Sequence, residues 1–296
     1  MTVVRRKAGR EGGGKWIFVL PALIVYVSVV MYPAFYSLFL SFFEWNGVPS
    51  NEKVFVGLAN YRQLFTGDWV FLVALKNNVL WIAMTLCITV VLALMFALLL
   101  NMNFRGCTLL RGVLYFPYVM SGVMVATTWS WIYHPQLGLL NNFMKLIGLG
   151  KYQLSVLART DSALIGCFIA GCWHFVGQPM VLFLAGMQTM PQEVIEAAHV
   201  DGANALQSFF RIKLPLLKET ILVVFATQII NCMKVYDIVY CMTGGGPSES
   251  TQTLATWMVI NTFNYSKVGY GMAISWMMLL LMLVVIIPYI AYQAKE

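Results

Sequence analysis

Residues 191–217 read PQEVIEAAHVDGANALQSFFRIKLPLL and form a polar insert between two long apolar runs. Pro191 suits a first helical position, and the carboxylate of Glu193 favours the first turn of a helix. We expect Asp201 to cap a second helix and Gly202 to supply the turn between the two helices. The segment therefore predicts a helix–turn–helix, and its second half carries an apolar set that ends at a proline: Leu206, Phe209, Phe210, Ile212, Leu214 and Pro215.

Two interpretations of this insert follow from its residues alone. An amphipathic helix–turn–helix can lie on a membrane surface, or it can dock onto a partner protein. The small side chains of Ala197 and Ala198 would allow another surface to approach the helix backbone closely. The residue types leave both interpretations open.

Several residues of the insert also stand at fixed separations. In order they are Glu196-Ala197-Ala198, three residues, Gly202, nine residues, Ile212, one residue, Leu214-Pro215. This pattern resembles the EAA loop of the membrane subunits of binding-protein-dependent ABC importers. The resemblance implies a cytoplasmic loop, about residues 188–216, that sits in a cleft of a separate ATPase subunit. Glu196 would make polar contacts in that cleft, Asp201 and Gly202 would form the turn, and the apolar set would hold the loop to the transmembrane helices.

The composition predicts a membrane protein. Of 296 residues, 60% are hydrophobic and only 10% are charged, and the mean hydropathy is +0.75. A soluble domain carries about 25% charged residues, so this chain cannot cover itself with a water-compatible surface. Long unbroken apolar runs favour transmembrane helices over a β-barrel. The net charge of +7 does not indicate nucleic-acid binding, because the basic residues flank the apolar runs.

The apolar runs predict an all-α fold with six transmembrane helices, since each run reaches the roughly 20 residues that cross a bilayer. The predicted spans are residues 16–43, 72–100, 113–133, 162–187, 217–242 and 270–292. Residues 1–15 would be a basic cytoplasmic tail, and residues 16–296 one transmembrane domain. Six spans place both termini on the same side of the membrane.

The distribution of the 19 lysine and arginine residues predicts which side that is. Eleven lie in the tails and the two connections on one side: Arg5, Arg6, Lys7, Arg10, Lys15, Arg105, Arg111, Arg211, Lys213, Lys218 and Lys295. Seven lie on the other side, and Lys234 lies within a predicted span. The seven are Lys53, Arg62, Lys76, Lys145, Lys151, Arg159 and Lys267. Cytoplasmic segments of membrane proteins carry an excess of lysine and arginine. We therefore expect both termini and the 188–216 loop in the cytoplasm.

Polar and ionisable residues in the fifth predicted span indicate a functional site, because such residues are costly inside a membrane. On a continuous helix, Thr227, Asn231, Lys234 and Asp237 would form one polar stripe. Lys234 and Asp237 are three residues apart and could neutralise each other as a structural ion pair. Alternatively, the stripe is a hydrogen-bonding wall for a polyhydroxylated solute. Both interpretations remain open.

The fourth predicted span carries a second polar pair. His174 and Gln178 are four residues apart and share a helix face. Pro179 removes a backbone donor and frees the carbonyl of Phe175, so we expect a kink there. His174 is interpreted first as a packed, hydrogen-bonded histidine and second as a residue of the solute path. No group of residues has the spacing of a metal site.

Two further stretches narrow the resemblance to the carbohydrate branch of this permease family. They are residues 56–62, VGLANYR, and residues 234–247, KVYDIVYCMTGGGP. The resemblance implies a multi-pass permease in the inner or cell membrane of a bacterium or archaeon. It also implies a second homologous permease subunit, two ATPase subunits and an extracytoplasmic solute-binding protein as partners. No cofactor is expected in this chain, since ATP and magnesium would be bound by the ATPase subunit.

Two other classes of function were weighed. An enzyme is disfavoured because the sequence contains no zinc-protease helix motif and no nucleophile elbow. An ion-coupled secondary transporter of a small polar solute is the stronger alternative, with Asp237 as the proton carrier. The nearby Lys234 would hold that carboxylate ionised, which makes it a poor proton carrier. This alternative also leaves the 191–215 segment without a role.

Overall fold

The computed structural model describes residues 13–102, 104–149 and 154–293. Most of the predicted basic tail (residues 1–12), Lys151 and Lys295 lie outside the described residues. Seventeen helices account for most of the described chain. They are α1 (Gly13–Tyr26), α2 (Tyr32–Ser41), α3 (Ala59–Thr66), α4 (Trp69–Met84), α5 (Val90–Leu100), α6 (Cys107–Val119), α7 (Gly122–Ile132), α8 (Leu139–Leu146), α9 (Ala163–Phe175), α10 (Gly177–Gln188), α11 (Gln192–Val200), α12 (Ala205–Ser208), α13 (Leu214–Leu216), α14 (Lys218–Met233), α15 (Asp237–Thr243), α16 (Leu254–Val259) and α17 (Val268–Gln293).

Short segments of other helical types link or extend some of these helices. Five-residue π-helical turns join α1 to α2, α4 to α5 and α12 to α13, and another follows α16. Their bounds are Val27–Met31, Thr85–Thr89, Phe209–Lys213 and Ile260–Asn264, and a short 3₁₀ turn spans Val156–Ala158. The π-helical turns within the first two spans do not interrupt the helix, so each of these spans remains continuous.

Five helical stretches are long and apolar enough to cross a membrane. They are Phe18–Ser41, Trp69–Leu100, Ala163–Gln188, Lys218–Thr243 and Val268–Tyr289. All five agree within a few residues with predicted spans. Helices satisfy every backbone group internally, as a bilayer requires.

The third predicted span, residues 113–133, is wrong as a single straight helix. The chain there forms α6 and α7, which meet at an angle of 100°. Met120 and Ser121 are extended, and the hydroxyl of Ser121 accepts the amide of Met124 at 3.3 Å as the N-cap of α7. Pro117 lies one turn earlier and restricts how the helix can end. The pair counts as a sixth span only if both halves together cross the membrane.

A small β-hairpin, absent from the all-α prediction, follows the first span. Strands β1 (Phe43–Glu44) and β2 (Val54–Phe55) are antiparallel, with Phe43 opposite Phe55. Asn60 at the start of α3 is buried and donates to the carbonyls of Ser41 (2.8 Å) and Phe43 (3.1 Å). This amide ties the hairpin to the end of the first span.

Three clusters of buried side chains hold the helices together. One lies among α4, α16 and α17, a second among α4, α7, α9 and α15, and a third among α5, α10 and α14. The largest fully buried side chains in them are Phe71, Trp81 and Phe183, respectively. The first span contributes almost nothing to these clusters, because none of its most apolar 18-residue window is buried. Its apolar surface is therefore left for lipid or a partner.

Asp68, at the N-terminus of α4, joins three distant segments through its carboxylate. One oxygen accepts the amide of Phe71 at 2.9 Å and so caps the helix. The other oxygen accepts the indole N–H of Trp257 at 2.7 Å and the hydroxyl of Tyr270 at 2.5 Å. The carboxylate therefore fixes α16 and α17 to the start of the second span.

Asp68→Asn is expected to lower the melting temperature of the purified protein. The amide has only one acceptor oxygen, so it cannot both cap the helix and accept from Trp257 and Tyr270, and hydrogen bonds to a charged group contribute about 2 kcal/mol each. Differential scanning fluorimetry in detergent measures the shift. Asp161→Asn is the control, because Asp161 forms an exposed ion pair with Arg159, whose contribution is small. Equal melting temperatures for the two variants would contradict the role of Asp68.

Candidate solute path and coupling loop

The fifth span is broken at the predicted polar stripe. Helix α14 ends at Met233 and α15 begins at Asp237, so Lys234, Val235 and Tyr236 are not helical. The prediction of one continuous stripe is therefore wrong. The sequence gives no warning of this break, because the segment contains neither proline nor glycine.

The break changes the relation between Lys234 and Asp237. Both residues are described and exposed, and no ion pair joins them. The two residues therefore do not form, in this structure, the ion pair that was one of the two open interpretations. The carboxylate of Asp237 lies instead beside Gly122, where an added Cβ would come within 2.9 Å of its Oδ2. A glycine at this position allows α7 to approach Asp237 closely.

A cavity of about 240 Å³ lies at this break. Four of the five predicted path residues line it, and so does Gly122, which sequence reasoning missed. The lining residues are Gly122, His174, Phe175, Asn231, Lys234, Val235, Tyr236, Asp237 and Ile238. Its polar groups include one cation, one carboxylate and one amide. These groups can donate to and accept from the hydroxyls of a neutral polar solute.

Gln178, the fifth predicted path residue, does not line this cavity but supports its wall. Its side-chain oxygen accepts from the amides of Asn231 at 3.1 Å and Gln228 at 3.3 Å. Gln228 is buried, whereas Asn231 and Gln178 are half-buried. Gln178 therefore fixes the side chain of Asn231 at the edge of the cavity.

His174 lies at a second discontinuity, where α9 ends at Phe175 and α10 begins at Gly177. The interruption falls next to the position of the predicted kink, but Val176 keeps helical backbone angles, and Ala163–Gln188 remains one span. The Nδ1 atom of His174 lies 2.7 Å from the carbonyl oxygen of Pro117 in α6. A carbonyl can only accept, so Nδ1 carries the hydrogen and Nε2 of the neutral ring is an acceptor. His174 is thus both a hydrogen-bonded packing residue and part of the cavity wall.

The cavity is built where three interrupted helices meet. The bend between α6 and α7 supplies Gly122, the discontinuity between α9 and α10 supplies His174, and the break before α15 supplies Lys234 and Asp237. Interrupted helices expose backbone groups that continuous helices hide, and membrane proteins use such points to line solute sites.

The 191–217 segment forms the predicted helix–turn–helix, with α11 followed by α12. Gly202 has φ +79° and the amide of Ala203 donates to the carbonyl of Ala198 at 2.9 Å, which ends the first helix. The prediction that Asp201 caps the second helix is wrong. Asn204 is the cap: its side chain accepts the amide of Gln207 at 2.8 Å, and the side chain of Gln207 accepts the amide of Asn204 at 3.0 Å. Asp201 lies too early, because two residues separate Gly202 from the helix start.

Most of this segment is exposed, including Glu196, Ala197, Asp201, Gly202 and Pro215. Ala198 is buried at the foot of α11. The prediction that the apolar set holds the loop to the bundle is only partly right. Ile212 and Leu214 are half-buried against the chain, but Leu206 and Phe210 are 70% and 59% exposed.

Several apolar side chains of the loop are exposed. We name them together the loop patch: Val194, Val200, Leu206, Phe210 and Leu216. Leu206 and Phe210 are four residues apart and share a helix face. A soluble surface rarely gathers such residues beside exposed carboxylates, so the patch is typical of a site that another protein covers.

Comparisons with known proteins show the family to which the chain belongs. Residues 89–294 match the family of binding-protein-dependent transport system inner membrane components. The chain is 35% identical to the osmoprotective compounds uptake permease protein GgtC of Synechocystis sp., over 95% of this chain and 99% of that protein. It is 31% identical to the trehalose/maltose transport system permease protein MalF of Thermococcus litoralis, over 95% and 94% of the two chains.

The fold is also that of a solved transporter. A crystal structure of a bacterial ABC transporter involved in the import of the acidic polysaccharide alginate superposes with a TM-score of 0.82 and 20% identity, covering 95% of each chain. Fold, loop and sequence together define a multi-pass inner-membrane permease subunit of an ABC importer, which is a transport protein and not an enzyme. The chain belongs to the family of binding-protein-dependent transport system inner membrane components.

Proposed function

We propose that this permease subunit carries a carbohydrate through the cavity at the break in the fifth span. The observation that carries the proposal is the convergence of His174, Asn231, Lys234 and Asp237 on one cavity. The mixture of one cation, one carboxylate and neutral donors suits a hydroxyl-rich solute without net charge. The relative from Thermococcus litoralis, named for trehalose and maltose, supports the same substrate class.

We further propose that the exposed loop couples the cavity to a separate ATPase. The 191–217 segment presents the carboxylate of Glu196, the turn at Gly202 and the loop patch on one exposed element. A partner cleft with matching apolar and polar groups would bury this surface. ATP-driven closure of two ATPase subunits would move the loop and tilt the attached fourth and fifth spans. The cavity would then open alternately to the two sides of the membrane.

This coupling places the loop, both termini and the basic tail of residues 1–15 in the cytoplasm, with residues 16–296 as the transmembrane domain. The lysine and arginine distribution favours that orientation. On the opposite side, an extracytoplasmic binding protein would deliver the sugar. The bare first span and an apolar groove of about 650 Å³ that includes Lys234 suit contact with a second homologous permease.

Co-purification in mild detergent, followed by uptake measurements in proteoliposomes, tests this assembly. We expect an ATPase and a second permease to accompany the tagged chain, and uptake to require ATP and the binding protein. Radiolabelled trehalose and maltose probe the carbohydrate class, and glycine betaine probes a zwitterionic osmolyte. A chain that is purified alone and moves solute down an ion gradient would instead be a secondary transporter. Uptake of glycine betaine without either sugar would contradict the carbohydrate proposal.

A further inference from the structure

The break in the fifth span leaves backbone carbonyls that no helix satisfies. In a continuous helix, the carbonyl of Cys232 would accept from the amide of Tyr236. Here it accepts from the backbone amide of Val235 at 3.4 Å and from the side-chain amide of Asn78 at 3.0 Å, across 154 residues of sequence. The carbonyl of Val235 accepts from the hydroxyl of Thr253 at 2.9 Å. An unsatisfied carbonyl is costly in a membrane, so these two side-chain donors stabilise the break.

Asn78 also binds the segment that carries Thr253. The side-chain oxygen of Asn78 accepts the amide of Leu254 at 2.8 Å, next to Thr253. Asn78 is 1% exposed and Thr253 is fully buried, so neither contact is exchanged for water. Asn77, one residue earlier, donates to the carbonyls of Ser250 and Gln252, both at 2.8 Å. The second span therefore holds the 250–254 segment in place, and together they hold the break.

We propose that Asn78 and Thr253 are positioning residues for the solute site: they hold residues 234–236 in their non-helical conformation and so set Lys234 and Asp237 at the cavity. The effect of these two residues on transport rests on the proposed function. Their hold on residues 234–236 rests on the hydrogen bonds alone. Without this hold, residues 234–236 would be free to move, and Asp237 would shift relative to Lys234 and Gly122.

Hydrogen–deuterium exchange on the assembled transporter in lipid nanodiscs tests the hold on the break. Asn78→Leu keeps the side-chain size but removes both hydrogen bonds. Thr253→Val replaces the hydroxyl, which also accepts the amide of Thr256 at 3.3 Å as the cap of α16, by a methyl group. We expect exchange of the amides at 234–236 to become about tenfold faster in both variants, as loss of a buried hydrogen bond implies. Thr253→Ser keeps the hydroxyl and should retain the wild-type rate.

Asn141→Leu is the matched control for loss of a buried asparagine. Asn141 is 2% exposed, donates to the carbonyls of Pro135 and Leu154, and accepts the amide of Leu154. It lies in another connection of the chain, so this variant should leave exchange at 234–236 unchanged. Unchanged exchange in both Asn78→Leu and Thr253→Val, or the same increase in Asn141→Leu, would overturn the inference.

Measuring uptake of radiolabelled maltose or trehalose distinguishes failure of the positioning role from failure of the proposed solute site. We expect Thr253→Val to raise the apparent KM for uptake about tenfold, with binding-protein-stimulated ATPase activity retained and with Thr253→Ser restoring the KM. Thr253→Val could show faster exchange but normal uptake while Asp237→Asn loses uptake. That result would overturn the positioning role of Thr253 and leave the proposed solute site intact. Normal uptake in Asp237→Asn and Lys234→Met would overturn the site itself, and exchange would still decide whether the two residues hold the break.

Discussion

Gly202→Asp is expected to reduce binding-protein-dependent uptake by about 10- to 100-fold, the range of a typical coupling free energy between two sites. Gly202 has φ +79°, and a Cβ at this position meets no atom within 4 Å. The substitution therefore costs about 1 kcal/mol of backbone strain without a steric clash inside the chain. We expect the larger effect on docking of the ATPase subunit, because a second carboxylate beside Asp201 changes the charge and shape of the docking surface. ATPase activity stimulated by the binding protein should fall together with uptake.

Gly148→Asp is the matched control for this prediction. Gly148 has φ +80°, and its Cβ position is also free of neighbours, so both variants carry the same strain and the same added charge. Gly148 lies in a connection predicted to be on the opposite side of the membrane, where no ATPase would contact it. Equal uptake by the two variants would contradict the coupling role. So would labelling of a cysteine at position 202 by an impermeant reagent applied from outside the cell.

The spans could be predicted because hydrophobicity acts over windows of about 20 residues and tolerates local irregularity. Five of the six predicted spans have matching helices. The bend between α6 and α7 was missed because the whole of residues 113–133 is apolar enough to cross, and hydropathy carries no directional information. Pro117 and the Ser121-Gly122 pair were the available signals, since a proline followed by an N-cap residue marks the end of one helix and the start of another.

The break at residues 234–236 could not be predicted from its own sequence. Its carbonyls are satisfied by Asn78 and Thr253, which are distant in sequence, so the local pattern still resembles a continuous helix. The helical wheel nevertheless selected three residues that line one cavity, Asn231, Lys234 and Asp237, whereas Thr227, the fourth residue of the predicted stripe, does not line it. Polarity in a membrane segment identifies which residues share a polar environment, whereas tertiary contacts decide how they face one another.

In the coupling loop, the turn could be predicted from the local sequence, whereas the cap residue and the exposure of apolar side chains were not predicted correctly. Its turn at Gly202 was predictable because a left-handed backbone strongly favours glycine. The cap was assigned to Asp201 instead of Asn204 because both residue types cap helices equally well. The reciprocal pair of Asn204 and Gln207 was the better signal. The exposure of Leu206 and Phe210 could not be read from hydrophobicity, which does not distinguish a core residue from one that a partner covers.

Neutralising Lys234 or Asp237 is expected to raise the apparent KM for sugar uptake by about tenfold or more, since a hydrogen bond between a solute hydroxyl and a charged group is among the stronger ones. Lys234→Met keeps the length of the side chain, and Asp237→Asn keeps its shape, so assembly with the ATPase should be unaffected. Arg159→Met and Asp161→Asn make the same charge changes in an exposed ion pair of another connection, with a separation of 2.9 Å. These two control variants should transport normally.

The double variant Lys234→Met with Asp237→Asn separates a solute site from an internal ion pair. If the two residues mainly neutralised each other, removing both would restore much of the activity lost by removing one, because no charge would remain unpaired. If each residue contacts the solute, the double variant should transport less than either single variant. The structure favours the second outcome, because no ion pair joins the two residues and both line the same cavity. Recovery of uptake in the double variant would therefore show that Lys234 and Asp237 pair with each other during transport and do not bind the sugar separately.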